Sequence, residues 1–311
     1  MAALVDERKA LRVLCFHSFR TNAKIFDLQL ELCGWKDRFP WIDFVLLDAP
    51  YECTEEDEQK MRLPKNASSG GQIMEFFPKK EYGAYREWYN ANDAGVYDRL
   101  DATLAYASKT FEGGGFDGLL GFSQGGNLAT MIAVLAERGA LPAFSKLGFI
   151  VGLSSHRPRD PSVATHLDAG EPLKVPSLFV VHADDPVVPA ALARSLVASF
   201  AAATVVEIPG AKHAPATLTQ TNHPEVGAFF DAARARKEAA AGAAYAVRGR
   251  LGALVRERRD MESPQVGDLL PTGARVVVVE ERTIPGGVVR CRIAAPVAGW
   301  VSRKNLERAP A

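Results

Sequence analysis

A serine, an aspartate and a histidine stand in an order that suits acyl transfer. Ser123 lies in FDGLLGFSQGGNLATMIA, where Gly121, Ser123 and Gly125 spell G-x-S-x-G between an apolar run and a helical one. A hydroxyl at such a turn is an exposed nucleophile if the turn is strained, and an ordinary helix cap if it is not. The two glycines favour the first. Residues two before and two after the serine approach closely, and glycine has no Cβ to collide there. Gly126 lets the helix come near the sheet. A serine hydroxyl also needs a base to take its proton. Downstream, SLFVVHADDPVVP closes an apolar run on Asp184 and Asp185. Asp185 is preferred as the acid because Pro186 stiffens the chain after it; either could instead cap a helix. VVEIPGAKHAPA then places His213 after the next apolar run, as the base. His223 is the second candidate for that role. His182 reads as structural, His156 and His166 as loop residues with His156 able to border a pocket, and His17 ends the first strand.

Acyl transfer further needs N–H donors aimed at the oxyanion. The amide of Gln124, next to Ser123, supplies one. The second is expected from LCFHSFRTN, with the Phe19 amide pointing inward and His17 bracing the loop.

Such residues must be carried on strand ends, and the chain reads that way. RVLCFH, IDFVLLDAP, FDGLLGF, KLGFIVGLSS, SLFVVHAD and ATVVEIPG are short apolar runs of strand character. Helical stretches lie between them: NAKIFDLQLELCGW with Ile25, Leu28 and Leu32 on one face, Asn127 to Glu137, and PAALARSLVASFA. Apolar strands alternating with helices predict a mostly parallel sheet covered on both faces. Residues 51–95 interrupt this rhythm with a long polar and aromatic insert. Loops of that length are usually functional or disordered. Phe76, Phe77, Tyr82, Trp88 and Tyr89 in it are candidates to line an acyl pocket or to be core.

Residues 225–260 turn Ala- and Arg-rich, which predicts a closing helix running into a helical connector. After Pro264 the pattern changes to β-branched runs split by PTG, PGG and APVAG, a small all-β module. Its GWVSRKNL ending resembles the last strands of SH3-like barrels. The expected division is a hydrolase-type domain over 1–235, a helical connector over 236–261 and the β module over 262–311.

Charge is balanced overall, with 37 Lys and Arg against 37 Asp and Glu, but unevenly spread. From Arg234 onward there are 15 basic and 8 acidic residues; before it, 22 and 29. The basic part reads as a solvated face, and no nucleic-acid partner is expected. No segment approaches the ~20 apolar residues of a membrane span. The N-terminus carries charges before any apolar run long enough for an export signal, so a cytoplasmic location and reduced thiols at Cys15, Cys33, Cys53 and Cys291 are expected. NAS at Asn66 fits a glycosylation sequon that matters only on export.

LCFHSFRTNAKIF, LLDAPYE, YREWYN, VYDRLDATLAY, FDGLLGFSQGGNLA, HADDPVVP and GAKHAPA occur together and in order. In this the chain, from about residue 9 to 232, resembles the FSH-type family of serine hydrolases, which includes the OVCA-like esterases. The resemblance implies an α/β-hydrolase fold with little cap. It implies hydrolysis of small-molecule esters or thioesters through an acyl-enzyme, with no cofactor and no metal. It also implies Ser123 as nucleophile, Asp185 as acid, His213 as base, and Phe19 and Gln124 as oxyanion donors. An apolar acyl group is the expected substrate feature. The β module is absent from simple family members and is a candidate to bind a protein or peptide. One departure bears on the chemistry: His17-Ser18 stands where the family has His-Gly, which puts the oxyanion loop in question. A catalytically inactive scaffold working through the β module is the competing reading, and Ser18 is the feature that favours it.

Overall fold

A computed structural model describes residues 10–62, 72–92, 94–168, 171–241 and 243–308. The sequon at Asn66 lies outside them. The chain divides into two compact units, Met1–Phe229 and Phe230–Ala311.

In the first unit six strands form one parallel sheet: β1 Leu11–Phe16, β2 Ile42–Leu47, β3 Gly118–Phe122, β4 Phe149–Leu153, β5 Ser177–His182 and β6 Ala203–Ile208. Their order across the sheet is β6-β5-β4-β3-β1-β2. Burial follows this order. The four inner strands are almost wholly buried, whereas the edge strands β2 and β6 are half-exposed. A strand hidden on both faces has to be apolar throughout, which is why these runs lack polar alternation. This is the α/β-hydrolase fold that the resemblance implied.

The longer helices are α1 Ala23–Leu32, α2 Leu100–Gly114, α3 Gln124–Glu137, α4 Pro161–Asp168, α5 Ala190–Val197 and α6 Pro224–Ala241. α3 is buried without a break from Gln124 to Leu135. It is accordingly apolar or small on every side, the pattern of a central helix rather than a surface one. α1 buries Ile25, Phe26 and Leu30. Its inward stripe therefore differs from the expected one, and Leu32 is 71% exposed.

The sequence reverses direction across the sheet between β1 and β3. Chain growth goes from β1 outward to β2, then returns to β3 and proceeds the other way. In open α/β sheets, sites form at the carboxyl ends of strands around such a switch point.

Much of the insert is structural. Trp88 and Tyr89 belong to the main core, together with Phe16, Leu119 and Leu128. Phe77 and Tyr82 pack with Ile25, Cys53 and Tyr85 in a satellite cluster, while Phe76 is 67% exposed. The candidates for an acyl lining thus split, with Trp88 and Tyr89 serving the fold.

The second unit is antiparallel. Its strands β7 Ala243–Val247, β8 Arg275–Thr283, β9 Val289–Ala295, β10 Gly299–Ser302 and β11 Leu306–Arg308 stand in the order β10-β9-β8-β7-β11. Val255, Cys291, Ile293, Val301 and Leu306 lie in its core. The β8–β9 hairpin turns on Gly286 and Gly287, at φ 89 and 76.

The expected helical connector over 236–261 is not what forms. α6 ends at Ala241, and Ala243–Val247 is a strand paired with both β8 and β11. Alanine's helix propensity is a weak preference that tertiary pairing overrides. The chain then turns at Gly249 and Gly252. A Cβ on Gly252 would sit 2.3 Å from the Leu270 carbonyl oxygen, and its φ is 85. Ala253 and Arg256 continue as isolated bridges to Leu270 and Gln265. The β unit therefore begins before residue 262.

Candidate active site

Four loops leave the carboxyl ends of β1, β3, β5 and β6 and carry Phe19, Ser123, Asp185 and His213. Ser123 has φ 52 and ψ −114, in the left-handed half of backbone space where a β-carbon is strained. The glycines around it admit this turn. A Cβ on Gly121 would lie 2.1 Å from the Gly125 carbonyl oxygen, and one on Gly125 would lie 2.1 Å from the Phe16 carbonyl oxygen. Gly126 is pressed against Ser155, whose Oγ would sit 2.0 Å from an added Cβ. Ser123 stands at the cap position of α3, but its side chain makes no capping hydrogen bond. Its Oγ lies 3.0 Å from His213 Nε2 instead.

His213 Nδ1 faces Asp185, 2.8 Å from Oδ2 and 3.0 Å from Oδ1. A carboxylate accepts only, so Nδ1 carries the proton and donates, which leaves Nε2 to accept from the Ser123 hydroxyl. Asp185 is buried, whereas its neighbour Asp184 is exposed. Asp185 Oδ1 also accepts from the Val187 and Val188 amides at 2.8 and 2.9 Å. Burial pushes this carboxyl up. The hydrogen bonds from His213, Val188 and Val187 outweigh burial and hold it below the usual carboxylate range. Asp185 therefore shapes its own loop and holds the imidazole at once, while α5 starts later, after Pro189.

The loop bearing His213 is pinned from below. Trp35 Nε1 donates to the Ala216 carbonyl at 2.8 Å, and the Leu218 amide donates to the Cys33 carbonyl at 2.7 Å. The ring of His213 lies 5.0 Å from that of Phe122. The other histidines are elsewhere. His182 is buried at the end of β5 with Nδ1 unpartnered. His156 is half-buried and braced by Asn127, whose Nδ2 donates to His156 Nε2 at 2.9 Å. His223 precedes α6, its carbonyl accepting from Arg38 at 3.2 Å. His166 lies on α4.

Behind Ser123, the insert clamps both oxyanion candidates. The Gln124 side chain accepts from the Trp88 amide at 3.0 Å and donates to the Tyr89 carbonyl at 2.8 Å. Trp88 Nε1 donates to the His17 carbonyl at 2.8 Å. The Arg86 amide donates to the Thr21 carbonyl at 2.7 Å. Arg20, at φ 53, sends its buried guanidinium to Glu87 at 3.2 Å and to Asp57 at 2.9 Å. It also lies over the Phe19 ring, 4.7 Å from its centroid. Within the loop, His17 Nε2 accepts from the Ala49 amide at 3.0 Å, and Nδ1 donates to the Ser18 carbonyl at 2.8 Å. Burial drives the His17 pKa down to about 4, so the brace is neutral.

Ser18 is buried and bonded to Thr21 Oγ1 at 3.1 Å. The residue in this loop with left-handed backbone is Arg20, and Ser18 is not among those with positive φ. The amides of Phe19 and Gln124 donate to no atom among the described residues. Gln124 was read from the sequence for its amide alone. Its side chain, Arg20 and Trp35 were not read as site residues, and Trp88 was read only as pocket lining or core, because their partners lie 35 to 181 positions away. Among the described residues, no three His, Cys, Asp or Glu converge in a group able to hold a metal.

Comparison with known proteins bears on this geometry. The family model described as serine hydrolase (FSH1) matches residues 6–223. The chain belongs to this serine hydrolase family. Esterase OVCA2 of Xenopus tropicalis is 27% identical over 220 residues, covering 69% of this chain and 90% of that protein. Esterase CG5412 of Drosophila melanogaster is 27% identical over 219 residues, covering 68% and 70%. Acyl-protein thioesterase 2 of Zea mays, a solved structure, aligns with a TM-score of 0.48 at 16% identity, over 75% of this chain and 97% of that one. No helix among the described residues is long and apolar enough to cross a membrane.

Proposed function

We propose that this serine hydrolase cleaves carboxylic esters or thioesters through a Ser123–His213–Asp185 triad. The observation that carries the reading is the uncapped, left-handed Ser123 with its Oγ 3.0 Å from His213 Nε2. His213 takes the Ser123 proton as Oγ bonds to the substrate carbonyl carbon. The oxyanion so formed is held by the amides of Phe19 and Gln124. Collapse breaks the bond to the leaving oxygen or sulfur, which receives the proton from His213. Water then attacks the acyl-enzyme with His213 again as base, and the carboxylic acid departs. Asp185 keeps the imidazole in the required tautomer and balances its transient positive charge.

An apolar acyl group is supported by what the site's loops leave open. Phe19 and Val187, in the loops after β1 and β5, are 37% and 40% exposed. The inactive-scaffold reading drew on Ser18, and the absence of Ser18 from the positive-φ residues weighs against it. The second unit is read as SH3-like. Its first strand pairs with its last, and a short 3-10 turn, Arg303–Asn305, precedes that last strand. A cytoplasmic location remains part of the proposal.

The test is hydrolysis of p-nitrophenyl esters from acetate to decanoate, with Ser123→Ala beside the wild type and fluorophosphonate labelling in parallel. The expected outcome is labelling at Ser123, an optimum above acetate, and a loss in the variant on the order of 10⁴-fold or more. Wild type that neither turns over nor labels would overturn the triad.

A further inference from the structure

The second unit holds a buried charge that no ion pair among the described residues balances. Arg290, on β9, is 1% exposed. Its Nη2 donates to the Trp300 carbonyl at 2.6 Å, its Nη1 points at Met261 Sδ at 2.7 Å, and its Nε has no partner. No carboxylate among the described residues pairs with it. Asp260 attracts it through space but makes its ion pair with Arg258, and Glu281 pairs with Arg303. Arg256 nearby adds positive charge, with its guanidinium donating to the Ser263 carbonyl. A guanidinium taken out of water without a counter-ion is costly, and folded chains normally supply one.

Met261 and Ser302, which adjoin Arg290, also line a cavity of about 330 Å³ that Arg290 itself does not line. Met261, Val288 and Val289 are its apolar lining, and Ser302, Lys304 and Arg303, the last paired with Glu281, its polar lining. Ser302 stands directly opposite Arg290 across the β9–β10 ladder. Lys304 is exposed and has no carboxylate partner among the described residues. Met261 is 45% exposed, so its side chain has somewhere to go. Its neutral sulfur is a weak acceptor where a carboxylate oxygen would be a strong one.

We infer that this cavity binds a small carboxylate on a short apolar stem. The carboxylate takes the place of Met261 Sδ on the Arg290 guanidinium, Lys304 adds a second positive charge at the rim, and the stem lies along Val288 and Val289. The acid released by ester hydrolysis falls in this chemical class. The site is read from the second unit alone and stands or falls without the triad.

The full chain, labelled with ¹³C-methyl methionine, tests this directly. The Met261 signal is assigned with Met261→Leu, and sodium octanoate, octanol and octylamine are titrated in turn. Octanoate is expected to move the Met261 signal saturably, and the other two to leave it in place. Arg290→Met should weaken octanoate binding by more than about tenfold, and Lys304→Glu by about fivefold. No octanoate-induced movement, an equal response to octanol, or unchanged affinity in Arg290→Met would overturn the inference. Should Arg290→Met fail to fold, unchanged affinity in Lys304→Glu overturns it instead.

Discussion

Two arginines are buried among the described residues, and the two units treat them differently. Arg20 in the hydrolase unit is 7% exposed and meets two carboxylates, Glu87 and Asp57. Arg290 in the β unit is 1% exposed and meets a thioether and one carbonyl. Both sit beside a place where a ligand is proposed to bind. Arg20's charge is already balanced, so it spends its hydrogen bonds holding the loop that carries Phe19. Such a loop need not reorganise when negative charge develops on a substrate. Arg290 has no such balance and keeps its attraction for something outside the chain. A buried charge that is paired positions its neighbours; one left unpaired recruits.

The largest effect should come from unbalancing the first region. Arg20→Met leaves Glu87, itself 3% exposed, without its main partner. Burial already pushes the Glu87 carboxyl up with Arg20 beside it. Breaking a buried pair on one side costs about 3–5 kcal/mol. Urea unfolding followed by hydrogen exchange, read on peptides of each unit separately, checks this. An equal loss in Arg290→Met would break the comparison, since it would mean that Arg290 is as well satisfied as Arg20.

Next in size is a pH effect at the neutral brace of the same loop. His17 titrates at about 4 in the fold, against an ordinary value of 6.5. The unfolded chain therefore binds the extra proton first as pH falls. The stabilisation is complete above about pH 6.5 and is lost progressively as pH drops toward 4, by about 3 kcal/mol in all. His17→Gln keeps an acceptor for the Ala49 amide and has no proton to gain. Its stability is expected to be lower at neutral pH and to change less across that window. Denaturant midpoints at several pH values measure both slopes, and parallel slopes would place the titration elsewhere.

A smaller change separates positioning from bulk. Trp88→Phe keeps a ring against Phe16 but removes the indole donor to the His17 carbonyl. A stability loss of about 1 kcal/mol is expected for that bond. If the bond also orients the Phe19 amide, kcat falls about tenfold while KM holds, because the oxyanion exists only during the reaction. A matched fall in stability with unchanged kcat would reduce Trp88 to packing.

These contrasts explain what could be read in advance. The convergence of Ser123, Asp185 and His213 was legible because each follows an apolar run, and their chain order is tied to the order of strands. The parallel sheet was legible for the same reason. The choice of Asp185 over Asp184 agrees with burial, since Asp184 is exposed. The clamp of Gln124 on Trp88 and Tyr89 was not legible. A lone tryptophan in a polar insert looks the same whether it lines a pocket or braces a loop, until its indole partner is known. The strand Ala243–Val247 was misread because alanine-rich sequence favours helix locally, while the pairing that decides the matter comes from β8 and from β11, some sixty residues on. Arg290 gave no signal, for its oddity is the absence of a partner rather than a residue type.

The smallest expected effect is also the sharpest comparison. Arg290→Met removes a charge that no ion pair in the unit balances and puts a shorter apolar chain in its place. Replacing a poorly compensated buried charge by packed apolar atoms is often neutral or stabilising. The β unit should therefore stay within about 1 kcal/mol of the wild type, or gain. The opposite correction supplies the missing partner. Met261→Glu places a carboxylate where the sulfur faces Arg290 Nη1, and it should stabilise the same unit while closing the cavity to octanoate. If both variants behave so, Arg290 contributes little to the folding of its own unit and is retained for what it binds. A loss of several kcal/mol in Arg290→Met would instead make its two remaining contacts sufficient, and the two buried arginines would be alike.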